Sequence, residues 1–203
     1  RRQDGVKIKA ALIERARTMT PGKAAATFDL NGADPVGPAA ASITVVAYAC
    51  GRCPMCAKVM PELYRVVTTG ALRGRVRLAL RPFPLRDHPG AVEAGLGFLA
   101  AARQGKLWPF LLRVYGEFKT FKPERLAEWA AAAGLDRAAF VAAMAAPETR
   151  ARLVAAKKEG LRNGVEMTPS LFLNGRRYHG ALDGESLADI LAEELDRLAR
   201  RQY

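Results

Sequence analysis

Cysteine and histidine are scarce in this chain, which holds three cysteines and two histidines among its 203 residues. Iron–sulfur clusters take four protein ligands, and no fourth cysteine is present to supply one. The histidines, His88 and His179, do not have the spacing of a zinc finger, and we interpret His88 as a capping or packing residue at a helix start. The sequence therefore predicts a protein without a cofactor or a bound metal.

Acidic residues are also in deficit, with 20 of them against 32 lysines and arginines, which gives a net charge of +12. Such a balance raises the question of nucleic-acid binding. However, the arginines are scattered from Arg15 to Arg201 and aromatic residues make up only 7% of the chain, so no basic stripe interleaves with aromatics. We expect a solvated basic surface and no nucleic-acid partner.

Long apolar runs are absent as well. None approaches the length of a membrane-spanning helix, and the first residues do not resemble a signal peptide. Half of the residues are nonetheless hydrophobic, and 26% are charged, which is ordinary for a globular protein. At 203 residues the chain is long enough to bury a sizeable core in one domain with an elaboration.

What the sequence does contain is a cluster of all three cysteines in the stretch ACGRCPMC, residues 49–56. The preceding segment SITVVAYA, residues 42–49, is apolar and β-branched, which predicts a buried strand. Pro54 suits the first turn of a helix, which we expect to continue to about Val67. Two C-x-x-C motifs overlap and share Cys53, and this motif at a strand–helix junction indicates redox chemistry.

Position relative to the predicted helix distinguishes the two motifs. Cys53 lies where the helix begins, so free backbone N–H groups and the helix dipole favour its thiolate, and Arg52 adds a neighbouring cation. Cys56 is one turn further along and more enclosed, which suits a resolving thiol. Cys50 lies at the strand end without a helix terminus beneath it. We therefore favour Cys53–Cys56 as the redox pair.

Three alternatives stay open for the cysteines. Cys50 is either a small packed residue at a strand end or a switch that forms another bridge to Cys53 or to a partner. The three thiolates together also suit soft Cu(I), which leaves open an alternative function as a Cu(I)-binding protein that uses all three cysteines. A purely structural disulfide is the third, although a bridge that closes so short a loop constrains the unfolded chain little.

Strand and helix patterns alternate along the rest of the chain. The predicted elements are a helix over residues 4–19, a strand over Val76–Leu80, an alanine-rich helical block from Pro89 to Asn163, strands over Ser170–Leu173 and Arg176–His179 around Asn174-Gly175, and a helix from Glu185 to about Arg201.

Four stretches of this chain resemble the DsbA-like thiol:disulfide oxidoreductases, a branch of the thioredoxin fold. They are ITVVAYACGRCPMCAKVMPEL (43–63), FPLRDHPGAVEA (83–94), RQGKLWPFLLRVY (103–115) and GVEMTPSLFLNGRRYHG (164–180). The resemblance implies an α/β protein: a thioredoxin fold with an inserted helical subdomain and an N-terminal helical extension. The implied parts are the extension (1–25), a first thioredoxin-like part with CPMC (26–87), the inserted helical subdomain (88–163) and a second thioredoxin-like part with the Thr-Pro loop (164–203).

The resemblance also implies roles for individual residues. Cys53 would be the exposed attacking thiolate and Cys56 the resolving thiol. Thr168 would line the substrate site, and Pro169 would be cis and face the disulfide. The implied activity is disulfide exchange with cysteines of exported proteins, with an oxidase favoured and an isomerase or reductase open. A membrane redox partner and an extracytoplasmic location follow, with the export signal or anchor outside this chain.

Departures from the family pattern concern the residues around the reactive pair. Those expected to modulate it are Arg52, Pro54, Met55 and Cys50. Met55 stands where the strongest oxidants carry histidine, so we expect a smaller depression of the Cys53 pKa and a less extreme oxidising potential. Ala47 stands where relatives often have a buried acid that shuttles protons to the second cysteine, so no carboxylate is available at that position.

Overall fold

The computed structural model describes residues 25–200 of the chain. The helix predicted over residues 4–19 lies outside the described residues, as does nearly all of the extension predicted over residues 1–25. Within the described part, no helix is both long and apolar enough to cross a membrane.

A mixed four-stranded sheet forms the centre of the α/β fold. Its strands are β1 (Ile43–Ala49), β2 (Val76–Pro82), β3 (Ser170–Leu173) and β4 (Arg176–Tyr178), in the spatial order β2-β1-β3-β4. Strand β1 pairs parallel with β2 and antiparallel with β3, so its apolar, β-branched residues occupy the middle of the sheet. Asn174 and Gly175 both have positive φ and make the two-residue hairpin between β3 and β4.

Helices surround this sheet, and most of them lie between β2 and β3 in the chain. In the described residues they are α1 (Pro54–Thr68), α2 (Ala91–Ala102), α3 (Leu107–Gly116), α4 (Leu126–Ala132), α5 (Arg137–Ala145), α6 (Pro147–Arg162) and α7 (Gly184–Ala199). Helices α2 to α6 make up the predicted alanine-rich helical block. The division of the chain into separate parts at residues 87/88 and 163/164 stays an interpretation of the sequence.

Two hydrophobic clusters lie on opposite faces of β1. Helix α1 buries Cys56, Val59, Met60 and Leu63, which recur at helical spacing, and they pack in the larger cluster with the alternate residues of β1. Tyr48 points to the other face, where it packs with Phe83 and Phe172. The cysteine stretch therefore enters the larger core directly from the central strand.

A partly buried polar network ties the other face of β1 to the helical block. The Tyr48 hydroxyl donates to Glu159 Oε1 at 2.6 Å, and Arg81 Nε donates to the same oxygen at 3.1 Å. Burial raises the pKa of Tyr48, so its phenol stays a donor. The network joins β1, β2 and α6 just before the cysteines.

Strand β2 is longer than the sequence pattern indicates. The prediction ended it at Leu80, whereas the pairs Tyr48↔Arg81 and Ala49↔Pro82 continue the ladder to Pro82. Proline is tolerated there because the residue lies at the end of a strand on the outside of the sheet.

Candidate active site

A tight turn carries the chain from β1 into α1 and brings the first two cysteines together. Strand β1 ends at Ala49, and Cys53 N–H donates to the Cys50 carbonyl at 3.1 Å. The helix starts at Pro54, whose missing N–H is not needed in a first turn, and Ala57 N–H donates to the Cys53 carbonyl at 3.0 Å. Cys53 is therefore the N-cap residue of α1, as its position in the sequence predicts.

Gly51 is required in this turn by a close approach of the helical block. A Cβ atom at this position would lie 2.4 Å from the Cβ of Ala94 and 3.2 Å from the ring of Phe98, both in α2. Such contacts are far below van der Waals distance. The turn thus lies directly against α2 because residue 51 has no side chain.

The sulfur of Cys53 faces the loop that leads into β3. Its Sγ lies 3.3 Å from the Thr168 carbonyl oxygen, to which it donates as a thiol, and the Thr168–Pro169 peptide bond is cis. The sequence resemblance implied an exposed sulfur, but Cys53 is only 6% exposed because this loop packs against it. Cys53, Thr168 and Pro169, which are far apart in the chain, therefore meet in space.

Hydrogen bonds hold the pKa of the Cys53 thiol low, at about 5. The largest cause is the hydrogen bond from the Cys56 thiol, and burial opposes it. Backbone N–H groups of Cys56 and Met55 and the side chain of Thr168 lower the pKa further. The buried Thr168 hydroxyl has no hydrogen-bond partner within residues 25–200, so it is available to this sulfur.

Cys56 has the opposite character. It is fully buried, and burial, followed by its hydrogen bond to Cys53, raises the pKa of its thiol. It stays protonated at neutral pH and donates to the Cys53 thiolate. Two cysteines one helical turn apart are thus held in different protonation states, Cys53 by the hydrogen bonds it accepts and Cys56 by its burial.

Arg52 is directed toward the helical block. Its guanidinium lies between the rings of Phe118 and Phe121, 4.5 Å and 4.4 Å from their centroids, and its Nη1 donates to the Phe118 carbonyl at 2.8 Å. The sequence suggested a cation that stabilises the neighbouring thiolate, whereas hydrogen bonds account for the lowering of the Cys53 pKa. Arg52 fixes the turn against the segment after α3.

The remaining modulating residues divide between the surface and the interior. Pro54 and Met55 are exposed, and Met55 contributes its backbone N–H to the thiolate while 51% of its surface is open to solvent. Cys50 is almost fully buried, its Sγ lies 3.4 Å from His88 Nδ1, and its carbonyl accepts from the Tyr115 hydroxyl at 3.2 Å.

Sequence reasoning missed the contact between His88 and the cysteine cluster. The sequence interpretation gave His88 a capping or packing role. Capping is wrong, because Gly90 is the N-cap of α2, whereas the imidazole does pack, against Cys50. The positions of the two residues in the chain could have predicted this contact, since His88 follows β2 as Cys50 follows β1. The carboxyl ends of adjacent parallel strands meet at one edge of a sheet.

All three cysteines are buried thiols in this structure. In the described part of the chain, no group of three or more histidine, cysteine, aspartate or glutamate side chains is arranged to hold a metal ion.

This chain is similar to a protein family, to curated proteins and to solved structures. The family model described as thioredoxin matches residues 32–193. Among curated proteins, the Na(+)/H(+) antiporter NhaA of Herminiimonas arsenicoxydans is 30% identical over 162 residues, which cover 76% of this chain and 24% of the antiporter. The chain spans about a quarter of the length of the curated relatives it matches.

Solved structures share the fold over most of the chain. The oxidoreductase DsbA from Xylella fastidiosa is 25% identical with a TM-score of 0.64, over 81% of this chain and 90% of that one. BdbD from Bacillus subtilis, in its oxidised form, is 14% identical with a TM-score of 0.73, over 85% of this chain and 97% of that one.

Proposed function

This chain belongs to the thioredoxin family, with the DsbA-like form of the fold, and we propose that it is a thiol:disulfide oxidoreductase acting on cysteines of exported proteins. The observation that carries the proposal is the unequal state of Cys53 and Cys56, one with a pKa of about 5 and the other buried with a raised pKa. A low-pKa sulfur is present as thiolate at neutral pH and is a good leaving group, which disulfide exchange requires.

The reaction in the oxidising direction begins from a Cys53–Cys56 disulfide. A substrate thiolate attacks the Cys53 sulfur, and the S–S bond breaks with its electron pair on Cys56, which takes up a proton because its pKa is raised. A second substrate thiolate then attacks the substrate sulfur of the mixed disulfide. Cys53 leaves as a thiolate that the Cys56 thiol and the start of α1 stabilise. The substrate is oxidised by two electrons and the pair is reduced by two.

The direction of net transfer follows from the same asymmetry. Reduction of the disulfide creates the stabilised Cys53 thiolate, which favours donation of the disulfide to substrate and hence an oxidase. An oxidase needs to be reoxidised, so we include a membrane redox partner in the proposal. An extracytoplasmic compartment is the setting in which such a product disulfide persists.

The substrate surface is proposed to lie around the Thr168–Pro169 loop. Pro54 and Met55 are exposed on the helix side of Cys53, and Met167, which is 66% exposed, precedes the loop. These apolar side chains offer contact to an extended, unfolded segment. The Thr168 carbonyl beside the sulfur provides a backbone acceptor for the same segment.

The proposal is tested by incubating the oxidised protein with a reduced peptide that carries two cysteines, quenching with acid, separating the two, and counting the thiols on each. We expect the peptide thiols to be lost as protein thiols appear, and Cys53→Ser to abolish the transfer. Thiol loss that survives Cys53→Ser, or no transfer by the wild type, would contradict the assignment. Tight Cu(I) binding that depends on Cys50, without thiol transfer, would favour the copper-binding alternative.

A further inference from the structure

The sulfur of Cys50 occupies a polar site inside the core. It lies 3.4 Å from His88 Nδ1, although Cys50 is only 1% exposed. Burial raises the pKa of this thiol, but backbone hydrogen bonds from Leu85, Arg52 and Cys53 act in the opposite direction. A cysteine that served only as a small apolar filler would not need an imidazole and backbone donors around its sulfur.

Two cations interact electrostatically with Cys50. Burial lowers the pKa of Arg52 and of Lys157, whereas the charge of Cys50 acts in the opposite direction on both. Lys157 is held in place by a hydrogen bond of 2.9 Å from its Nζ to the Pro84 carbonyl. The pKa of Cys50 stays raised because burial outweighs these contributions, so its thiol needs a base to lose its proton.

The turn geometry brings Cys50 within disulfide reach of Cys53. The hydrogen bond from Cys53 N–H to the Cys50 carbonyl closes a four-residue turn. The ends of such a turn lie less than about 7 Å apart. A disulfide needs Cα atoms separated by about 4.4–6.8 Å. The backbone of this turn thus holds Cys50 and Cys53 close to the separation that a disulfide needs.

We propose that Cys50 is a second resolving thiol, so that the site forms two alternative disulfides that share Cys53. The inference rests on the proposed function in one respect, which is that Cys53 is the sulfur that forms mixed disulfides. It adds a partner for that sulfur and a proton acceptor, His88, which the exchange between Cys53 and Cys56 does not use.

The step is an exchange without net oxidation. His88 Nδ1, in its unprotonated form, accepts the Cys50 thiol proton, and the Cys50 sulfur attacks Cys53 in a mixed disulfide. The new bond joins Cys50 to Cys53, and the old S–S bond breaks with its electron pair on the departing thiolate. The departing thiolate belongs to the substrate, or to Cys56 if the Cys53–Cys56 disulfide is the starting point. One disulfide is consumed and one is formed in either case.

The consequence for the reaction is a second route by which a bound substrate leaves reduced. In the Cys50–Cys53 form both bridged sulfurs lie in the core, and Cys56 remains a protonated, fully buried thiol. Two attacks open the Cys50–Cys53 disulfide again. A thiolate that attacks Cys50 releases Cys53, whereas Cys56 can attack Cys53, which restores the Cys53–Cys56 disulfide and releases Cys50.

The test uses the Cys56→Ser variant and the chromogenic disulfide dithiobis(nitrobenzoate), supplied at one molecule per protein. Attack by Cys53 releases one nitrothiobenzoate, and attack by Cys50 on the resulting mixed disulfide releases another. We expect two releases from Cys56→Ser and one from the double variants Cys56→Ser/Cys50→Ser and Cys56→Ser/Cys50→Ala. The alanine variant guards against a fold disturbed by a buried hydroxyl, and circular dichroism verifies folding of each protein.

Two further variants assign the steps. Cys53→Ser/Cys56→Ser leaves Cys50 as the single thiol, and we expect slow release because Cys50 is buried. His88→Asn in the Cys56→Ser background keeps a polar side chain but removes the base. We expect it to slow the second release more than about tenfold while the first changes less than about twofold. An unchanged second release would overturn the role of His88.

Peptide mapping identifies the disulfide in the otherwise unaltered protein. Trypsin cleaves after Lys23, Arg52 and Lys58, so Cys50 lies in peptide 24–52 and the other two cysteines lie in peptide 53–58. A Cys50–Cys53 disulfide links the two peptides, whereas a Cys53–Cys56 disulfide lies within one. We expect a linked pair after oxidation of the wild type and acid quenching.

The outcomes separate the two proposals. A first release that does not depend on Cys53 would overturn the proposed function and the inference together. A first release from Cys53 with no second release, and no linked peptides, would overturn the role of Cys50 alone. Both releases with linked peptides would support both.

Discussion

Replacing Cys56 tests what holds the Cys53 pKa low. The hydrogen bond from the Cys56 thiol is the largest cause of the low value, ahead of the backbone N–H groups of α1. We expect Cys56→Ala to raise the Cys53 pKa and Cys56→Ser, whose hydroxyl can still donate, to raise it less. Both changes are made in a Cys50→Ala background, so that Cys53 is the single cysteine left.

The size of the effect follows from the type of hydrogen bond. A hydrogen bond to a charged group contributes about 1.5–3 kcal/mol. Since 1.36 kcal/mol corresponds to one pKa unit, its loss raises the pKa by roughly 1 to 2. The sulfur of Cys53 would then titrate at roughly pH 6 to 7 instead of about 5. The Cys56→Ser protein should titrate between the alanine variant and the Cys50→Ala parent.

The assay is the rate of alkylation by iodoacetamide as a function of pH, with the modified residue identified by mass spectrometry. Ultraviolet absorbance of the thiolate gives the same midpoint independently. In the Cys50→Ala parent, buried and protonated Cys56 contributes little to the signal. An equal midpoint in the alanine variant and the parent would refute the reasoning, because the helix N-terminus alone would then account for the low pKa.

Three further predictions concern stability, charge and the turn. The folded Cys53 pKa of about 5 lies below an ordinary thiol value of about 8.5. The thiolate therefore stabilises the reduced protein fully above about pH 9. Urea unfolding should show that this contribution is lost as the pH falls toward 5. Arg52→Met should raise the Cys53 pKa less than Cys56→Ala does, measured by the same alkylation profile, and a larger rise would restore the direct electrostatic role that the sequence suggested. Gly51→Ala should lower the free energy of unfolding by about 1–3 kcal/mol. The control Gly116→Ala should not lower it, because a Cβ there meets open space among the described residues. Equal losses in the two variants would contradict the close approach of α2 to Gly51.

The sequence allowed prediction of the elements that depend on local pattern. The apolar run before the cysteines, the proline that starts α1 and the Asn174-Gly175 turn all have strong local signals, and the structure has a strand, a helix and a hairpin at those places. Cys53 and Cys56 differ as expected because a helix start and the first buried turn are different environments. These features need no information about distant residues.

Contacts between distant residues were harder to predict. The Arg52 charge suggested an electrostatic role, but two phenylalanines from the helical block capture its guanidinium. His88 looked like a helix-start residue because nothing in its neighbours along the chain points to Cys50. Strand β2 ran past its apolar segment because pairing with β1, rather than hydrophobicity, decides where a strand ends. Each of these depends on the position of one element against another.

The turn before the nucleophile has a consequence for any attempt to transplant this motif. Three successive residues of this turn touch different parts of the helical block. Cys50 contacts α3 through the Tyr115 hydroxyl, Gly51 lies against α2, and Arg52 binds the segment after α3. The CPMC motif alone therefore does not define the reactive site, because residues of the helical block also fix the turn before it. A thioredoxin scaffold without the helical block, given the ACGRCPMC octapeptide, would acquire the three sulfurs but not the contacts that position them.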